Sequence, residues 1–425
     1  MKTHAMKKLF THTAALMLLV ATGLAQAQQT TEIVVDYAYA DLFKDVHEAI
    51  ARDFMAKFPQ YKVTFRAATS DYDISAQQAL RQAVTGQLPD VSYQGLIRQR
   101  VLADRGIAVD LTPFIKAEKG WAGMGYDQAL MSLGQVKSQQ VGIGFALSTP
   151  VIYYNADLLR KAGVEPDRFP TTWDGIIAAT KKSKAATPGT YSMHVEWDIT
   201  GNWMWQALVF SNGGSMLTPD EKKVAFDGAA GRAVIRALDQ FVKQGEMRNI
   251  SYAAAMQDFI SGKLAVLATT TARLGGITQQ IGGKFEVRTA RMPVAKDGRL
   301  PAGGNVAMMF AKDPAKQAAA WEYIKFATGP RGATTMVKGT GYFPANTLPA
   351  NDPALLQPFY KQHPNHLTAI QQMPVLTGWY AFPGENGMKV TDVIKDHLQT
   401  VVSQEVAPET ALIDMAKAVQ ALLPR

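Results

Sequence analysis

The chain has 425 residues, 47% of them apolar and 19% charged, enough to build large cores and too hydrophobic for a disordered chain. It has no cysteine, which excludes disulfides, Cys-ligated zinc, iron–sulfur clusters, thiol catalysis and lipid attachment through an N-terminal cysteine. The formal charge of +8 is scattered as single Lys and Arg among acids, and the one dense basic cluster, Lys181, Lys182 and Lys184, lies at the end of a helical pattern, so a nucleic-acid or membrane patch is not expected.

In chain order, a basic start (Lys2, Lys7, Lys8) precedes an apolar run from Ala14 to Ala21 that ends in Ala25-Gln26-Ala27. This is the pattern of a secretory signal peptide cleaved after Ala27, and Thr22 and Gln26 make the run too short for a membrane span. Removing residues 1–27, with their three lysines and no acid, leaves 398 residues at +5, expected to be free in a periplasm.

Glu32–Tyr37 reads as a strand, and Val46, Ile50, Phe54 and Phe58 draw one apolar stripe of a helix ended by Pro59. His47-Glu48 lacks the second histidine of a zinc-protease motif, and His47 is expected on the helix surface. Tyr61–Phe65 alternates as a strand, a helix covers about Ile74 to Val84, and Asp90–Ser92 is a short strand: α/β logic with a parallel sheet. The β-rich run from Val141 to Tyr154 is long and broken by Gly and Pro150, as a strand crossing between two lobes would be. The same grammar returns: helices from Asp157, after Trp173 and from Ala230, strands at Leu264–Ala268, Phe285–Arg288 and Asn305–Phe310, and a helix from Pro314 to Phe326. Val390 to Val402 repeats apolar residues at three- and four-residue spacing, and Pro408 opens a last helix.

The motifs that mark enzymes with real specificity, a nucleophile elbow, a zinc-binding H-E-x-x-H or an S-x-x-K, are missing, as is a complete phosphate loop. His363 and His366 lie close together but in a Pro-flanked loop, and no metal or cofactor is expected. What stands out is aromatics in polar or Gly-rich stretches: Trp197, Trp203 and Trp205 beside Glu196, Asp198 and Asn202, and Trp379, Tyr380 and Phe382 in a stretch rich in Gly. Flat rings beside amides and carboxylates suit a sugar, whose C–H faces stack while its hydroxyls exchange hydrogen bonds. Core packing is the competing account of any one tryptophan, with Trp205 as the core partner of a stacking Trp203.

"FMAKFPQYKVTF", "TGQLPDV", "STPVIYYNADLLRKAGV", "FPTTWDGIIAATKK", "FISGKLAVL", "AAAWEYIKFATGP" and "TGYFPAN", in this order, resemble the family-1 extracellular solute-binding proteins of ABC importers, those for sugars and sn-glycerol 3-phosphate. The resemblance implies an α/β, two-lobed periplasmic-binding-protein fold with crossings between lobes and a ligand cleft between them. The lobes are expected to comprise residues 28–148 with 290–342 and residues 149–289 with 343–425. It also implies a monomer that hands its ligand to membrane permease subunits served by cytoplasmic ATP-binding subunits. Tyr72, Ser148, Thr271, Gly304 and Tyr342 match ligand-contacting positions, and Trp203 falls where the family has a tryptophan. Gln94 and Arg98 stand in the region where an acid is expected, Thr270 and Arg273 offer donors, Asn305 follows the Gly-Gly turn, and Trp379 and Tyr380 offer aromatic faces. The arginine that would hold a phosphate near Trp379 has no counterpart, which favours a neutral carbohydrate over sn-glycerol 3-phosphate or a glycerophosphodiester. A secreted glycoside hydrolase using Glu196 and Asp198 is the remote alternative from a different class.

Overall fold

The computed structural model describes residues 30–424; the signal-peptide segment lies outside the described residues. Ten strands form the two main sheets: β1 (Thr31–Asp36), β2 (Tyr61–Phe65), β3 (Val91–Gly95), β4 (Ile143–Ser148), β5 (Pro150–Asn155), β6 (Tyr191–Val195), β7 (Leu264–Thr270), β8 (Val287–Arg291), β9 (Gly303–Met309) and β10 (Phe343–Pro344). The first sheet runs β10-β4-β9-β3-β1-β2 and the second β8-β5-β7-β6. β1 pairs in parallel with β2 and β3, the βαβ arrangement expected, while β9 is antiparallel to both β3 and β4.

Helices cover each sheet. α1 (Ala40–Lys57), α2 (Tyr72–Thr85), α3 (Trp173–Ala186), α4 (Trp203–Ser211), α5 (Ala229–Lys243), α6 (Tyr252–Ile260), α7 (Pro314–Thr328), α8 (Pro330–Gly339), α9 (Gly387–Val402) and α10 (Pro408–Gln420) are the elements used below. In the first lobe α1, α7 and α8 pack together. In the second, α5 packs with α9 and α10, and the apolar stripe of α9 (Val390, Ile394, Leu398, Val401) enters the core with Phe241 and Met415. Fully burying one such side chain is worth about 1.5–3 kcal/mol, so each lobe is a coherent body. Across the lobes run ion pairs, among them Arg100–Glu221 at 2.7 Å and Arg105–Glu385 at 2.7 Å, and exposed pairs contribute only about 0–1 kcal/mol each.

Some expectations change. His47 is not on the surface but fully buried, its ring stacked on Phe145 and close to Tyr93 and Tyr37. The stripe of α1 is wider than one row, since Phe43, His47 and Ala51 are buried beside Val46, Ile50 and Phe54, because sheet and helices cover α1 from two sides. Burial without a partner lowers its pKa to about 3 and keeps it neutral. The strand expected at Asp90–Ser92 continues to Gly95, and that expected from Phe285 begins at Val287. The lobe boundaries also shift. β8 keeps the chain in the second sheet to Arg291, and Met292 joins that lobe's core. Phe343 and Pro344 pair with β4, and Leu356 and Tyr360 join the core of the first lobe. The chain is back on the second lobe at Asn365, whose side-chain amide bonds Thr289 N and Val287 O.

The long broken strand does pass from sheet to sheet. β4 ends at Ser148 and β5 begins at Pro150, so one residue, Thr149, separates them. Thr149 N donates to Thr271 Oγ1 (3.1 Å), Thr271 N donates to Thr149 O (3.0 Å), and Gln372 Nε2 donates to Thr149 Oγ1 (2.6 Å).

Candidate functional site

Between the two sheets lies a cavity of about 290 Å³, near the lower end of the usual range for small-molecule sites. The first lobe supplies Tyr39, Leu42, Tyr72, Ser148, Gly303, Gly304 and Tyr342; the second supplies Glu196, Asp198, Ile199, Thr200, Trp203, Tyr252, Thr270, Ala272, Arg273 and Trp379. A wider depression of about 1070 Å³ follows the outer edge strand β8 of the second sheet, away from the space between the sheets.

Local backbone conformation builds much of the wall. Tyr39 precedes α1 in the left-handed region (φ 60°), a conformation that costs a non-glycine residue energy and fixes its ring where the lobes meet, edge-on to Tyr72 at 4.9 Å. Gly201 (φ 63°) and Asn202 (φ 53°) make two successive left-handed residues before α4, turning the chain so that Thr200 and Trp203 reach the cavity. A side chain at Gly201 would strike Ile97, and Asn202 is anchored by Nδ2 donating to Thr391 O at 2.8 Å.

Of the residues singled out from sequence, Tyr72, Ser148, Trp203, Thr270, Arg273, Gly304, Tyr342 and Trp379 line the cavity. Five do not, each for a visible reason. Gln94 is buried behind the wall, donating to Ser75 and Ser92. Arg98 points away and is held by Asp73 at 2.6 Å. Thr271 ties the two crossing segments at Thr149. Asn305 stands behind Tyr72, donating to its hydroxyl at 3.2 Å. Tyr380 turns out to bond Glu221 at 2.9 Å. Trp205 packs edge-on against Phe226 in the core of the second lobe, leaving Trp203, whose ring meets Trp379 at 6.0 Å.

Tyr39, Thr200 and Tyr252 were missed. No motif marks them; Tyr39 owes its place to its positive φ, and Tyr252 to the capping of α6 by Ser251, whose hydroxyl accepts from Ala254 N. Glu196 and Asp198 were noticed in sequence as neighbours of the aromatics and as candidate acids.

The polar chemistry of the wall is unusual. Glu196 is buried and accepts from the Thr269 hydroxyl. Burial pushes its pKa up to about 8, against the Thr269 hydrogen bond and with a push from Asp198, so it holds its proton near neutral pH. Burial also raises the pKa of Asp198. Among the described residues Arg273 is the only basic side chain lining the cavity, and its Nη1 lies 2.8 Å from Asp41 Oδ2 on the first lobe. Of the residues that line the cavity, Trp203 Nε1 and Tyr252 Oη are buried without a hydrogen-bond partner, which costs about 1–3 kcal/mol each. No described helix is long and apolar enough to cross a membrane.

Residues 49–368 match the family described as bacterial extracellular solute-binding protein. The sn-glycerol-3-phosphate-binding periplasmic protein UgpB of Escherichia coli (strain K12) is 24% identical over 430 residues, covering 94% of each chain. Two solved structures share the fold. That of UgpB from Mycobacterium tuberculosis in complex with glycerophosphocholine has a TM-score of 0.79 at 20% identity, covering 91% of this chain and 97% of that one. That of cyclic alpha-maltosyl-1,6-maltose binding protein from Arthrobacter globiformis has a TM-score of 0.77 at 22% identity, covering 92% and 99%.

Proposed function

The chain belongs to the bacterial extracellular solute-binding protein family, and from that premise we propose that it captures a neutral mono- or oligosaccharide between its lobes in the periplasm. It releases the sugar, unaltered, to the permease subunits of an ABC importer. The observation that carries the ligand class is the lack of a disengaged cation: among the described residues the arginine that lines the cavity is already paired with Asp41, and Glu196 on the same wall holds its proton. A phosphate needs convergent free donors, best of all an unengaged arginine. A sugar needs what lines this wall: indole and phenol faces, hydroxyls, and a protonated Glu196 able to donate as well as accept. Its hydroxyls are also suited to satisfy Trp203 Nε1 and Tyr252 Oη.

Calorimetric titration of the purified protein with a maltose-type sugar set and with sn-glycerol 3-phosphate, at low and high salt, tests this. Tight, salt-sensitive binding of the phosphate would reverse the assignment. The second reading, sn-glycerol 3-phosphate or a glycerophosphodiester, is favoured by the name of the Escherichia coli relative for the first and of the Mycobacterium tuberculosis complex for the second. Mass spectrometry of whatever co-purifies distinguishes it directly. Release of reducing sugar from glycosides would mean turnover and would overturn the binding-protein mechanism.

A further inference from the structure

Asp41 does not line the cavity, yet its carboxylate pairs with the basic side chain that does. It lies in the first turn of α1, beside Leu42 and two residues after Tyr39, both of which do line it. From there its carboxylate reaches across to the second lobe and meets Arg273, which follows the end of β7. The left-handed conformation of Tyr39 sets the start of α1, and with it the place of Asp41 relative to the cleft. Asp41 also lies at the positive end of the 18-residue helix α1, where a carboxylate compensates the unpaired N–H groups. One aspartate therefore cancels two features that would otherwise draw an anion to the same place.

We propose that Asp41 is a specificity-determining residue that keeps phosphorylated ligands out of the cleft by occupying Arg273 as the lobes come together. A phosphate would have to displace a carboxylate already in contact with the guanidinium, beside Glu196 and Asp198 on the same wall. A neutral ligand meets no such competition. This inference rests on the cavity being the ligand site, as in the preceding section, and predicts that loss of Asp41 changes ligand charge preference rather than merely weakening the protein.

The test is calorimetric titration of sn-glycerol 3-phosphate into the full mature protein, its Asp41→Asn variant and the double variant Asp41→Asn, Arg273→Ala, each checked by a melting curve. Asp41→Asn should bind the phosphate at least about tenfold more tightly than the parent at low salt. The gain should shrink at high salt and vanish in the double variant. If Asp41→Asn is poorly folded, Asp41→Ser takes its place. Binding no tighter than the parent overturns the proposal, as does a gain that survives removal of Arg273. The parent's own response separates the two readings. If it already binds sn-glycerol 3-phosphate as tightly as the variant, both this proposal and the neutral-ligand assignment fall. If the variant gains phosphate binding while no neutral sugar binds the parent, only the carbohydrate assignment falls.

Discussion

The two walls of the cleft are built from different chemistry. The first lobe contributes three tyrosines, a leucine, a serine and two glycines, and no acid or base. The second contributes both carboxyl groups, the arginine and both tryptophans. A wall without charge pays little to be wetted or dried, whereas the opposite wall holds groups whose protonation and hydrogen bonding depend on what lies against them. On the carbohydrate reading proposed above, the second lobe supplies the titratable partners and the indoles, and the first supplies most of the phenol faces, with Asp41 reaching from it to the arginine of the opposite wall.

The strongest way to break this comparison is Trp203→Ala. Replacing a stacked ring at the centre of a site commonly costs about 2 kcal/mol or more, well over tenfold in affinity. Because Trp203 is almost fully buried, the variant should also lose about 3–5 kcal/mol of stability. Titration and denaturant unfolding together read both effects. If affinity for a ligand established with the parent survives and only stability falls, Trp203 is core and its indole is not a recognising face.

Glu196→Gln sharpens the comparison through pH. The folded protein holds the Glu196 proton up to about pH 8, while the unfolded chain releases it near 4.5. The stability this proton linkage confers is therefore greatest in acid and declines as pH rises through that window, by at most about 1.4 kcal/mol per pH unit. Urea unfolding at pH 7 and 8, above the range in which the buried histidines take part, should show that slope in the parent and a shallower one in Glu196→Gln. The first lobe has its own buried acid, Asp36, raised by burial to about 6 despite a hydrogen bond from Ser92. It lies outside the cavity, so Asp36→Asn should change the profile only below about pH 6, where it leaves the opposing slope of the buried histidines less offset, and should leave ligand affinity unchanged.

The acid limb of the profile belongs to histidines. The folded chain keeps His47 neutral down to about pH 3, and His194 and His366 down to about 4, while unfolded histidines take up protons below about 6.5. Stability is thus lost as pH falls from about 6.5. His47→Phe, which preserves an aromatic ring against Phe145, should lessen that loss, and an unchanged acid limb would show that His47 is not responsible. The smallest expected effect is that of Arg105→Ala. Its exposed pair with Glu385 spans the lobes but is worth only about 0–1 kcal/mol, so a large change in melting temperature would show that interlobe ion pairs hold the protein together.

Much of the architecture was legible because period and punctuation are local. The α9 stripe and the Pro408 start of α10 could be read from residues a few positions apart. His47 was misread because its exposure depends on what packs over α1 from elsewhere in the chain. The site divided along the same line. Trp203, Ser148 and Tyr342 lie beside glycines and prolines that mark a turn or a crossing, whereas Gln94 and Arg98 could be placed only by knowing which way β3 and the turn after it face. Gln372, which bonds Thr149 Oγ1, Pro150 O and Met292 N, sits in an ordinary polar helix end with nothing to announce it.

The junction at Thr149 has one more consequence. Ser148 touches the cavity, and the residue after it is all the chain that separates β4 of one sheet from β5 of the other. Any rotation of one sheet against the other must twist this junction, which Pro150 stiffens on one side and Thr271 grips through two hydrogen bonds. Detector and axle are therefore neighbours along a single covalent thread.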